Sequence, residues 1–294
     1  MFRCRSLLFM PGNNPGMLGS APCLGADAVI FDLEDSVSTR EKDAARLLVR
    51  NALASLDAED TAVLVRINAL DTPHWQEDVA AVVGAGCRAI LLPKCSTPED
   101  VHTLAAAVAE AEKGQSVALY GLVETALGME NAFAIAQSHP GLAGLQLGAE
   151  DLTAELGAQR TARGEEVLYA RSRLIMACRA ARIKALDTPY PFVTDVDGLR
   201  VDAALAAQLG FDGKTVISPH HVHVVNEAFT PAPHRIAWAE RVLEAAGEAK
   251  LAGKGAVALD GMMIDAPVIK RAEGILARAG KLAPTPAARE NAHA

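Results

Sequence analysis

Residues 89–123, AILLPKCSTPEDVHTLAAAVAEAEKGQSVALYGLV, hold the reading that decides the fold. Ala89–Leu92 is a short, wholly apolar run. Thr97-Pro98-Glu99-Asp100 then carries a helix start: a threonine cap, proline at the first position and acids in the first turn. From Pro98 to Lys113 the apolar residues recur with a period near 3.6, and Val117–Val123 is apolar again. The stretch therefore reads as strand, helix, strand.

The same unit repeats on either side. Strands are expected near Leu7–Met10, Ala28–Leu33, Ala62–Ile67, Leu142–Leu147, Ile183–Leu186 and Thr215–Ser218, which with the two above makes eight. Helical stretches fall between them, among them Lys42–Leu56, Glu165–Arg182 and Leu199–Leu209. Eight strands each followed by a helix predict an α/β fold, a (β/α)8 TIM barrel. An open doubly wound sheet is the competitor, but no GxGxxG follows any strand to mark its dinucleotide-binding form. Beyond the barrel, expected over residues 1–230, the pattern continues as a helix over His234–Gly253, an apolar segment Ala256–Ile264 and a last helix Ala266–Ala279. This portion, 231–281, reads as a C-terminal helical extension, and 282–294, ending in APTPAARENAHA, as a flexible tail.

Composition narrows the class. Of 294 residues 50% are hydrophobic and 22% charged, which excludes a disordered or fibrous chain. The 28 Lys and Arg against 36 Asp and Glu leave a net charge of −8, so no broad basic field for nucleic acid exists. No segment approaches the roughly 20 apolar residues of a membrane span. The apolar run at Ser6–Met10 is too short for a secretory leader and stops at Pro11-Gly12. Five cysteines with no CxxC pair fit reduced thiols in the cytoplasm.

In such a barrel the residues just past each strand converge on one face, where the active site sits. Here the strand ends carry Asp32-Leu33-Glu34-Asp35, Arg66-Ile67-Asn68, Pro93-Lys94, Glu124-Thr125, Glu150-Asp151, Asp187-Thr188 and Ser218-Pro219-His220. Four of these ends bear carboxylates, whose mutual repulsion in a low-dielectric mouth calls for a counter-charge. A hard divalent cation with oxygen ligands answers it, and Mg2+ with retained waters is the natural candidate. Any one of these acids could instead be a cap or a solvated loop residue, Asp32 included, and Arg66 could be a buried structural ion pair. His220, His221 and His223 lack a fourth ligand at zinc spacing and read as a helix start. Cys95 has no neighbouring base and reads as packing.

These residues also carry a resemblance. RSLLFMPGNNP (Arg5–Pro15), GADAVIFDLEDSV (Gly25–Val37), REKDAAR (Arg40–Arg46), VRINALDT (Val65–Thr72), LLPK (Leu91–Lys94), GLVETALG (Gly121–Gly128), LGAEDL (Leu147–Leu152), ALDTPY (Ala185–Tyr190), LGFDGKTVISPHHV (Leu209–Val222) and DGMMIDAPVIKRA (Asp260–Ala272) resemble the citrate lyase β-subunit family. That group lies within the HpcH/HpaI aldolase and citrate lyase superfamily. The likeness runs from about Arg5 to Ala279, and the stretch Gln159–Arg171 is closer to the citrate lyase subunit than to malyl- or citramalyl-CoA lyases.

The resemblance implies a TIM barrel, a homotrimer, and Mg2+-dependent carbon–carbon cleavage of a 3-hydroxyacyl thioester on coenzyme A or an acyl carrier protein. Citryl thioester would give oxaloacetate and acetyl thioester, in company with citrate lyase α and γ subunits; malyl- or citramalyl-CoA lyase or thioesterase activity is the alternative. It further implies Glu124 and Asp151 as Mg2+ ligands and Arg66 on the substrate carboxylate and thioester oxygen. Asp265 would act as acid/base in a neighbouring subunit's site. Around these, Glu34, Asp35 and Glu150 are expected to hold metal-bound waters or Arg66. A basic cluster of Arg5, Lys42 and Lys94, helped by the amides of Gly12-Asn13-Asn14, is expected at the phosphates of the carrier. His220-His221, where relatives often carry glutamine, is a departure at that end.

Overall fold

A computed structural model describes residues 3–56, 61–111, 114, 116–251 and 257–282. The chain divides into two compact units, Met1–Phe229 and Thr230–Ala294. In the first, eight parallel strands close into a barrel in chain order: β1 (Ser6–Pro11), β2 (Ala28–Asp32), β3 (Ala62–Arg66), β4 (Ala89–Leu92), β5 (Ala118–Val123), β6 (Leu142–Leu147), β7 (Lys184–Asp187) and β8 (Gly213–Val216). β8 pairs with β1 to complete the ring.

Helices follow every strand. They are α1 (Pro15–Ser20), α2 (Lys42–Ser55), α3 (Trp75–Gly84), α4 (Pro98–Ala111), α5 (Ala126–Glu130), α6 (Ala132–Ala136), α7 (Ala149–Glu155), α8 (Leu168–Ala181), α9 (Val196–Leu209) and α10 (Pro219–Phe229). The signal at Thr97 works as its chemistry predicts. The Thr97 hydroxyl accepts the Asp100 amide at 3.3 Å, while the Asp100 carboxylate accepts the amides of Ser96 and Thr97, both at 2.8 Å. The expected helix from Glu165 begins as a 3-10 turn, Glu165–Val167, and becomes α-helical at Leu168. β8 starts two residues before its expected position, because Lys214 lies inside a fully buried strand and a lysine there reads as a loop.

The two-residue period of a strand sorts the core into layers. Leu7, Ile30, Leu64, Leu91, Tyr120, Leu122 and Leu186 pack together as the barrel's filling. Their alternates, among them Leu8, Val29, Phe31, Val65, Ile90 and Val123, pack with the helices outside. Continuing the inward register places Asp32 two residues beyond Ile30, Arg66 two beyond Leu64, and Glu124 two beyond Leu122. Asp187 is one residue beyond Leu186, so it faces out through the wall.

There Asp187 meets a buried charge network. Arg171 of α8 forks onto it at 2.9 and 3.0 Å, and Lys214 reaches it at 2.7 Å. Asp202 of α9 pairs with the same two cations, 2.7 Å from Arg171 and 2.6 Å from Lys214. Two cations and two carboxylates, all buried, balance one another. Each is tolerated only because the others are present.

The second unit contains α11 (Pro233–Leu251), an antiparallel hairpin of β9 (Val257–Leu259) and β10 (Met262–Ile264), and α12 (Ala266–Arg278). Ala239, Val242, Ile264, Ala272, Ile275 and Leu276 form its core. The expected apolar segment is thus a hairpin, turned at Asp260-Gly261, whose φ values of 51° and 79° suit the Asp-Gly pair of a tight turn. Ala256, Gly253 and the terminal APTPAARENAHA lie outside the described residues.

The balanced network predicts that Arg171→Met, which strands charge while keeping bulk, destabilises the barrel by about 3–5 kcal/mol. Urea unfolding followed by circular dichroism reads this directly. A midpoint unchanged from wild type would show that the four groups do not act as one unit.

Candidate active site

The mouth is organised around one guanidinium. Arg66 sits at the end of β3 beside Asp32 at the end of β2, residues paired in register. Its Nε and Nη2 donate to the two Asp32 oxygens at 2.7 and 2.6 Å, a bidentate fork. Asp32 also accepts the Glu34 and Ser36 amides at 2.9 and 3.1 Å and the Ser36 hydroxyl at 2.5 Å. Burial alone would raise the Asp32 carboxyl, but Arg66 and these hydrogen bonds hold it below its ordinary value. The Phe9 ring lies 5.0 Å from the guanidinium carbon and supports it from one face.

The third nitrogen of Arg66 faces two more acids, Glu34 at 3.0 Å and Asp35 at 3.3 Å. Lys94 adds a weaker partner, its ammonium 3.9 Å from Glu34. Because Asp32 claims most of the guanidinium, Glu34 is under-compensated. Burial, only partly offset by Arg66 and aggravated by Asp35 and Asp32, pushes its carboxyl up to about 7.

Across the mouth, Glu124 at the end of β5 is buried, and its Oε1 accepts the Lys94 amide at 2.8 Å. Lys94 reaches that position with a left-handed backbone, φ 52°. Burial raises the Glu124 carboxyl to about 8 against the relief of that one amide, and the charges of Asp151 and Glu34 add to the shift. Asp151 is exposed in the first turn of α7. Between the two acids, Gly148 is required: a Cβ there would lie 2.5 Å from Glu124 Cβ and 2.6 Å from its Oε2.

The structure thus brings Arg66, Glu34, Asp35, Lys94, Glu124 and Asp151 to one end of the barrel. Glu124 and Asp151 offer hard oxygen donors, and the repulsion between them, only partly offset by the Lys94 amide and Arg66, is what a divalent cation would remove. No cluster of three or more His, Cys, Asp or Glu with metal-binding geometry occurs among the described residues. A cation here would be completed by water and substrate oxygens, which is the habit of Mg2+ rather than of zinc.

Other expected residues lie elsewhere. Glu150 turns to Arg160 at 2.9 Å, which also binds Glu166 at 2.5 Å, so it ties α7 to the following loop. The basic cluster is not assembled. Arg5 precedes β1 at the opposite end of the barrel and forks onto Asp27 at 2.7 and 2.9 Å. Lys42 donates to the carbonyls of Leu33 and Glu34 at 2.8 and 2.7 Å and so clamps the β2 loop. Of the three, Lys94 is the one whose ammonium is open to solvent at the mouth, whereas Lys42 is buried behind the loop. The amides of Gly12 and Asn14 are taken by Asp32 and Pro11 carbonyls. His221 is buried on the Val193 carbonyl, while His223 pairs with Glu227. Cys95 is fully buried and burial pushes its thiol up. Asp265 caps α12 through the Val268 amide at 3.2 Å. Asp32, a possible cap by sequence, is the main anchor of Arg66, and its place on the inward register after Ile30 is the signal for it.

A closed parallel barrel with a guanidinium and carboxylates gathered at its C-terminal mouth is the architecture of a TIM-barrel enzyme. Residues 5–219 match the family model described as HpcH/HpaI aldolase/citrate lyase. The chain belongs to this family and is a lyase by class. It is 41% identical over 277 residues to citrate lyase subunit beta of Leuconostoc mesenteroides subsp. cremoris, covering 92% of each chain. It is 37% identical over 279 residues to the (3S)-malyl-CoA thioesterase of Cereibacter sphaeroides, covering 95% of each. Among solved structures, the CitE protein of Mycobacterium tuberculosis in complex with magnesium, acetoacetate and coenzyme A superposes with a TM-score of 0.79. It is 36% identical, over 95% of this chain and 98% of that one.

The state of Glu34 predicts a pH dependence. Its folded value, about 7, lies above its ordinary 4.5, so the folded chain holds the proton more tightly than the unfolded one. Its contribution to stability is therefore full below about 4.5, falls as pH rises to about 7, and is constant above. Glu34→Gln is expected to flatten that part of the profile in metal-free protein, measured as denaturation midpoint against pH. Parallel profiles for variant and wild type would refute the assignment.

Proposed function

We propose that this chain cleaves a 3-hydroxyacyl thioester between its hydroxyl-bearing carbon and its α-carbon, with citryl thioester as the substrate and oxaloacetate plus acetyl thioester as the products. On this reading it serves as a citrate lyase β subunit. The observation that carries the reading is the juxtaposition at one mouth of Arg66 and the uncompensated Glu124–Asp151 pair. The relatives similar over nearly the whole chain supply the substrate.

Glu124 and Asp151 would hold Mg2+, consistent with the magnesium in the CitE complex. When bound, the ion supplies Lewis-acid polarisation of the substrate's hydroxyl and carboxylate oxygens and fixes their orientation. Cleavage requires the hydroxyl to lose a proton, the carbon–carbon bond to break, and the α-carbon to leave as a thioester enolate. Arg66, fixed on its inner edge by Asp32, presents a permanent positive charge where enolate oxygen charge develops. Glu34 and Asp35 set the orientation of its third nitrogen. Lys94 fixes Glu124 through its backbone, and its ammonium, nearly half exposed, is available to an anionic substrate group.

The enolate carbon then takes a proton, and Asp265, in an acid/base role, would deliver it after its carboxylate has taken one up from the reacting hydroxyl or from water. Asp265 belongs to the second compact unit, where it is exposed and accepts the Val268 amide. We assign it to the site of a neighbouring copy in a homotrimer. Citrate lyase α and γ subunits would be the wider partners, the γ subunit as acyl carrier. No helix among the described residues is long and apolar enough to cross a membrane, and all five cysteines are unpaired thiols. Both fit a place in the cytoplasm.

The test is release of ketoacid from citryl-, malyl- and citramalyl-CoA, with Mg2+ and with EDTA. Oxaloacetate from citryl-CoA, abolished by EDTA and reduced at least a hundredfold in Glu124→Gln (on the order of the loss when a key electrostatic group is removed), is the expected result. Turnover of malyl-CoA alone would favour the thioesterase reading that the Cereibacter sphaeroides relative represents. A second experiment addresses Asp265. Co-expressed Glu124→Gln and Asp265→Asn chains, each inactive alone, are expected to regain partial activity as mixed oligomers. Continued inactivity of the mixture would place Asp265 in its own chain's site.

A further inference from the structure

The helix that carries Asp151 has no cap of its own. Its N-cap position is Gly148, which offers no side chain, and the packing of Glu124 against that glycine excludes any residue that could. The serine, threonine or aspartate that ordinarily satisfies the first amides of a helix is therefore barred by the neighbouring acid. Yet Ala149, whose amide opens the helix, is fully buried, and a buried amide without a partner is costly.

The partner comes from another strand. The Ala149 amide donates to the hydroxyl oxygen of Thr188, just past β7, at 3.1 Å. Thr188 is fully buried, and its β-branched side chain is stiff, so the hydroxyl is held in place. Its carbonyl accepts a hydrogen bond from Lys214 Nζ at 2.6 Å. Lys214 is in turn locked by Asp187 and Asp202, which grip Arg171. The charge network behind the barrel wall thus ends, through Thr188, at the first residue of α7.

We propose that Thr188 is a positioning residue for Asp151. From the position just past β7 it gives the first amide of α7 its buried acceptor, and so fixes the start of that helix, and with it Asp151, relative to Glu124. Thr188 touches neither substrate nor cation; it acts through Ala149. The proposal rests on the reading of Glu124 and Asp151 as the ligands.

The experiment compares Thr188→Val, which keeps the shape and loses the acceptor, with Thr188→Ser, which keeps the hydroxyl. The readouts are the Mg2+ dissociation constant by calorimetry on the purified full chain and the Mg2+ dependence of turnover. Thr188→Val is expected to weaken Mg2+ binding about tenfold or more, the range for partners behind metal ligands, with kcat recovering at saturating Mg2+. Thr188→Ser is expected to keep the wild-type constant. Where the valine variant cannot be recovered folded, Thr188→Ala removes the same acceptor. A wild-type constant in Thr188→Val or Thr188→Ala, or a serine variant as weak as valine, would overturn the proposal. Asp151→Asn separates the two levels. Lost Mg2+ binding there beside intact binding in Thr188→Val overturns only the positioning role; intact binding in Asp151→Asn overturns the ligand reading and this proposal together.

Discussion

The fork between Asp32 and Arg66 is the interaction on which the rest of the mouth depends. A guanidinium cannot shed its proton to escape burial, so it must be paired, and Asp32 does this with both oxygens while three donors from Glu34 and Ser36 hold Asp32 in turn. Such a pair adds little to stability over an apolar one, because desolvation consumes most of the Coulomb gain. What it secures is orientation. Arg66 cannot swing, and its outer edge is committed to the centre of the mouth.

The second consequence is a shortage of positive charge. Asp32, Glu34 and Asp35 share Arg66, with Lys94 a distant helper, while Glu124, burdened by the charge of Asp151, has the Lys94 amide and the more distant Arg66 as partial relief. Buried Glu34 and Glu124 answer by holding protons far more tightly than free carboxyls do. The Asp187, Asp202, Arg171 and Lys214 network behind the wall has the opposite balance: two cations are matched by two carboxylates. These two buried charge clusters of the barrel are distinguished by their arithmetic. The unbalanced one is where the site is proposed.

The elements that present the site divide their labour. The strands deliver Asp32, Arg66 and Glu124 on a rigid inward register, whereas Asp151 rides a helix of two turns whose start must be held from outside. The proposed ligands are accordingly divided between a stiff wall, which carries Glu124, and a short helix, which carries Asp151.

Much of this was legible from residues alone. The recurrence of short apolar runs and capped helices specified eight strands in order, since a strand buried on both faces must be apolar and a helix must announce its start. The acids and Arg66 stood visibly at strand ends. Lys214 obscured the start of β8, because nothing local reveals that Asp187 and Asp202 neutralise it. Arg5 and Lys42 looked available for an anion because their partners, Asp27 and the β2-loop carbonyls, are brought to them only by folding. Asp187 resembled Asp32 in sequence, and one residue of strand register separates them, turning one into the barrel mouth and the other into the wall. Local sequence determines which segments are strands and helices, because period and capping are short-range properties. Which charges meet, which are cancelled and which remain to bind is decided only by the tertiary structure, because a charge takes its meaning from neighbours tens or hundreds of residues away.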